Sequence, residues 1–82
     1  METNELLAER GKTHGDFTYH AQVTQELKAV MNEHGLAKLS EVQREALEMI
    51  QHKIGRILAG DPNFKDHWID ISGYSMLAAD RC

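Results

Sequence analysis

The chain is poor in the residues that staple, break or anchor a fold. Its 82 residues include one cysteine and one proline. The cysteine, Cys82, is the last residue, so no disulfide framework can form and nothing points to an oxidising compartment. No apolar run approaches the ~18 residues that a membrane helix needs. The opening METNELLAER lacks a basic segment followed by an apolar one, so the expectation is a cytosolic protein with neither signal peptide nor membrane span. Basic charge is also scarce: 9 Lys and Arg against 13 Asp and Glu leave a net charge of −4, which argues against a nucleic-acid coat. So short a chain holds one domain, residues 1–82, and buries only about 60% of its unfolded surface, which makes a homo-oligomer the natural expectation.

With β-branched residues scattered rather than alternating with polar ones, the pattern predicts an all-α fold: a small bundle of three long helices plus a short N-terminal one. The short helix is expected over residues 4–9. The glycine-punctuated stretch 10–16 has no periodicity and reads as a loop. Asp16 can cap a helix over Phe17–Glu33, with Phe17, Ala21, Leu27, Val30 and Met31 toward the core and Gly35 beyond its end. Ser40 and Gln43 form a capping box ahead of a helix over Glu41–Ala59, whose Val42, Ala46, Met49, Ile50, Ile54, Ile57 and Leu58 share an inward side. Pro62 then precedes a last helix over residues 64–79, with Phe64, Trp68, Ile71 and Leu77 pointing inward.

Several polar residues have both a structural and a chemical reading. Glu41, Glu45, Glu48, His52 and Arg56 make one stripe, either a solvated helix face or, through Glu45 and Glu48, a seat for magnesium. Asp70, among Trp68, Ile69 and Ile71, needs a partner such as Lys53 or Arg56, or else is a ligand. Gly73 inside its helix costs about 1 kcal/mol relative to alanine, so close helix approach is expected there, or a ligand ring against bare backbone. Arg10, Lys12 and His14 offer cationic groups to a phosphate near the next helix start, although the spacing is not that of a P-loop. The five histidines show no zinc-ligand spacing.

The run Arg44-Glu45-Ala46-Leu47-Glu48-Met49-Ile50-Gln51-His52-Lys53-Ile54-Gly55-Arg56-Ile57, with Asp66-His67-Trp68-Ile69-Asp70-Ile71-Ser72-Gly73-Tyr74 downstream and Arg10-Gly11-Lys12-Thr13-His14-Gly15-Asp16-Phe17 upstream, resembles a family of small phage and prophage proteins of unassigned function. That family is similar to a nucleotide-modification-associated domain of phages and, more distantly, to the all-α MazG-type nucleotide pyrophosphatases. The resemblance implies a nucleotide-handling protein in the cytoplasm of an infected bacterium. In the MazG-type pattern, E-x-x-E on one helix and E-x-x-D on the next bind magnesium. Glu45 and Glu48 fit the first half; Asp70 fits the second, but His67 stands where its glutamate belongs. Losing one carboxylate of such a set removes turnover more readily than affinity.

The sequence therefore leads to a protein that sequesters a nucleotide or nucleotide-derived immune signal without catalysis and with no cofactor required. Its ligand residues would be Arg10, Lys12, His14, His52, Lys53, Arg56, Lys65, His67, Trp68 and Tyr74. The alternatives are a magnesium-dependent pyrophosphatase with Glu45, Glu48 and Asp70 on the metal, or a protein–protein adaptor.

Overall fold

The computed structural model of the chain describes residues 11–82. The expected helix over residues 4–9, and Arg10 with it, lie outside the described residues. A helical turn at 11–14 leads into α1 (Phe17–Glu33); a 3-10 turn (Leu36–Lys38) connects it to α2 (Glu41–Ala59), and α3 (Lys65–Ala79) closes the order. The described residues contain no strand, and the fold is all-α.

Local chemistry sets the boundaries of α1 and α2. The Asp16 carboxylate accepts from the Tyr19 amide at 3.2 Å, satisfying a donor that the first turn of α1 leaves open. Beyond the His34 cap, Gly35 takes the left-handed conformation at φ 119°. At the start of α2 the capping box is complete: Gln43 donates its amide to Ser40 Oγ at 3.1 Å, and Ser40 donates its own to Gln43 Oε1 at 3.0 Å. α3 begins one residue later than expected, because Phe64 occupies the N-cap. The stretch 10–16 is shorter as a loop than its composition suggests. Gly15 donates to the Gly11 carbonyl at 3.1 Å, a helical bond, and the chain leaves the helix only at Gly15, φ 77°.

α2 is the middle helix and packs on both α1 and α3. What it buries corrects the expected core. Ala46 and Ile57 are the buried hydrophobic residues among those described, whereas His20, Thr24, Gln51, Lys53 and His67 are buried polar ones. Phe17, Val30, Val42, Leu58, Trp68 and Leu77, all expected inside, are 41–75% exposed. For α1 the reason is helix rotation. Gly55 of α2 has no side chain, and a Cβ there would stand 2.7 Å from both His20 Nδ1 and Thr24 Cγ2. α1 thus docks through His20 and Thr24, turning its apolar residues partly aside. Thr24 accommodates this burial by donating its hydroxyl to the His20 carbonyl at 3.1 Å. Gly73 departs from expectation as well: no atom of another described segment lies within 4 Å of where its Cβ would be, so it marks open space rather than close helix approach among the described residues.

Candidate functional site

Two glycines bring the turn before α1 against the end of α2. A Cβ on Gly60 would fall 2.5 Å from the Thr13 carbonyl oxygen, and one on Gly15 would overlap the Ala59 carbonyl. With the backbones in contact, the Thr13 carbonyl accepts from the Asp61 amide at 3.2 Å and from His67 Nε2 at 3.2 Å. Because a carbonyl can only accept, that bond places the proton of His67 on Nε2. His67 is 1% exposed, and His14 lies against it with ring centroids 5.0 Å apart and its Nδ1 3.3 Å from His67 Nε2. Phe64 closes edge-on against His67 at 4.8 Å. His67 is therefore a buried strut that fixes the turn carrying His14.

In front of this strut opens a cleft of about 540 Å³, lined by Gly11, His14, Gly15, Asp16, Phe17, His20, His52 and Arg56. Its side wall is built from two helices in register: His20 of α1 meets His52 of α2 edge-on, centroids 4.7 Å apart, and Phe17 stacks over His20 at 5.9 Å with planes 21° apart. Phe17 is 75% exposed, so its other face is open. Burial, followed by the nearby Arg56 charge, pushes the His20 imidazole below its usual range. The same two causes, joined by His20, Lys53 and Lys28, lower His52 to about 4. Both rings are neutral at pH 7. Arg56 then carries the positive charge of the lining and Asp16 the negative, and no described carboxylate pairs with Arg56. Neutral imidazoles offer one donor and one acceptor each, and a guanidinium offers a planar fork of donors suited to phosphate.

Of the residues singled out by sequence, the structure brings His14, His52 and Arg56 together at this cleft and sets His67 behind them. Lys12 lies in the same turn but outside the lining. Lys53 points to the other side of α2, 8% exposed, with its Nζ 2.8 Å from Asp70 Oδ2. Asp70 thus has the partner that its position demanded, and that bond holds its carboxyl below the ordinary value. Lys65 and Trp68 sit on the exposed part of α3, where the indole donates to the Pro62 carbonyl at 2.9 Å. Tyr74 lines a separate groove with Val42, Glu45, Met49, Leu77 and Arg81.

The candidate metal ligands are dispersed: Glu45 is in that groove, Glu48 lies 3.6 Å from Arg44, and Asp70 is on Lys53. No group of three histidine, cysteine or acidic side chains suited to a metal occurs among the described residues. Phe17 and His20 are the cleft residues that the sequence reading missed. Their signal was the combination of spacings: 17 and 20 on one helix, 52 and 56 on the next, with Gly55 between them. Comparison of the chain with models of protein families, with curated proteins and with solved structures finds no match.

Proposed function

We propose that the protein sequesters a nucleotide-derived ligand in the His14–Phe17–His20–His52–Arg56 cleft and gives it back unchanged. The observation that carries this reading is the presence of the Arg56 guanidinium, which has no ion-pair partner among the described residues, and the exposed Phe17 ring in the lining of one nucleotide-sized opening. The guanidinium suits a phosphate, the ring suits a base, and the His14 ring with the neutral His20 and His52 imidazoles can bond sugar or base edges. The dispersal of Glu45, Glu48 and Asp70 favours capture over magnesium-assisted hydrolysis in this arrangement of the chain.

The test is a thermal-shift panel of mononucleotides, cyclic dinucleotides and ADP-ribose derivatives on the full chain, with and without Mg²⁺. A ligand at about 100 times its Kd contributes about 2.7 kcal/mol, a rise of roughly 10 °C or more in a domain of this size. The rise should vanish in Arg56→Ala and shrink in Phe17→Ala, and chromatography should recover the ligand intact. No rise with any member of the panel would overturn the proposal. Recovery as monophosphate and pyrophosphate would replace it with the pyrophosphatase reading.

A further inference from the structure

α3 turns an unpartnered face away from α2. Lys65, Ile69, Ser72, Gly73, Met76 and Asp80 fall within a sector roughly 100° wide at the helical repeat. All six are exposed, Ile69 by 52% and Met76 by 57%. Their order along the axis is symmetric about a point midway between Ser72 and Gly73. Ile69 and Met76 lie about 5 Å to either side of it, and Lys65 and Asp80 about 11 Å, at 1.5 Å per residue. Reversal of the helix exchanges a cation for an anion at the ends, an apolar side chain for another in the middle, and small for small at the centre. Asp80, the C-cap, still has helical backbone, at φ −64° and ψ −16°, so the face continues through it. Neither Lys65 nor Asp80 has an ion-pair partner among the described residues.

We infer that this face is the seam of an antiparallel homodimer in which α3 packs on α3 of a second copy. A two-fold axis at the midpoint sets Lys65 level with Asp80 of the second copy, Ile69 level with its Met76, and Ser72 and Gly73 of both copies at the crossing. This is the self-complementarity that an isologous interface requires. It also gives Gly73 a cause. The bare backbone, with no other described segment of its own chain within 4 Å of its Cβ position, allows a second helix to approach closely where a larger side chain would hold it off.

Sedimentation equilibrium of the full chain tests the seam. The expected mass is twice 9.3 kDa at concentrations on the order of 100 µM. Ile69→Asp should weaken association by roughly 100-fold or more while leaving far-UV helicity unchanged, because the side chain is exposed in the single chain. Lys65→Glu and Asp80→Lys should each weaken it by about 2- to 5-fold, and the double variant should restore it, since the two charges exchange places across the dyad. A monomeric mass at that concentration, an assembly indifferent to Ile69→Asp, or a double variant no tighter than the singles would each overturn the inference.

Discussion

The cleft end of the molecule and the outer face of α3 are built on opposite rules. At the cleft end polar groups are inside: His67 and His20 are buried, and Gly15 and Gly60 let two backbone segments touch. On the outer face of α3, Ile69 and Met76 are outside, and the one glycine has no other described segment against its Cβ position. With Ala46 and Ile57 as the buried hydrophobic residues among those described, and Leu27, Ile50, Ile54 and Ile71 only half-buried, apolar volume alone is a thin support for the helices. The chain relies on fit at a few glycines and on the polar contacts of Thr24, Lys53 and His67, and leaves much of its apolar area uncovered. Stability should therefore be sensitive near the cleft and tolerant along α3.

The largest effect should come from Gly15→Ala. It combines φ 77° with a Cβ that overlaps the Ala59 carbonyl, and it should remove more than about 3 kcal/mol, read as the urea midpoint, or prevent folding. Gly55→Ala comes next, at about 1–3 kcal/mol, because His20 and Thr24 must both retreat from a new methyl 2.7 Å away. His67→Leu should cost a similar amount, since it replaces the strut by an apolar group that cannot donate to the Thr13 carbonyl.

Acidification should produce a smaller loss. The folded His52 titrates near 4 and the unfolded one near 6.5, so between those values the unfolded chain binds the extra proton. His20 is shifted in the same direction. The melting temperature should hold above pH 6.5, fall as pH drops toward 4, and fall less steeply in His52→Gln. The smallest change should be a gain. Gly73→Ala at a dilution where the chain is monomeric should raise stability by up to about 1 kcal/mol, since helix propensity improves and no neighbour objects. A loss there would erase the contrast between the two regions.

The boundaries of α1 and α2 were legible because caps act over three or four residues. Asp16, Gly35, Ser40 and Gln43 each do in the structure what their types imply. The need of Asp70 for a cation was legible from its apolar neighbours, and Lys53 meets it. The rotation of α1 was not legible. Its apolar residues nominated one side, but contact at Gly55 selected His20 and Thr24, and a single glycine on another helix leaves no mark on the periodicity of α1. For the same reason Phe17 read as core although it is a cleft wall, and His20 read as one histidine among five. Spacing placed Glu45 and Glu48 on one helix face, but whether Asp70 turned toward them depended on the tertiary competition that Lys53 won.

The double acceptance by the Thr13 carbonyl also bears on the order of folding. The bond from His67 closes a span of 54 residues, whereas the α1–α2 hairpin needs only a short connection. Loop-closure entropy makes the long span the later event, after the helices have paired locally. The floor of the cleft is thus completed late, on the native side of the main barrier. Anything that grips the cleft stabilises contacts absent from the transition state: it should slow unfolding in proportion to its affinity and leave the folding rate unchanged.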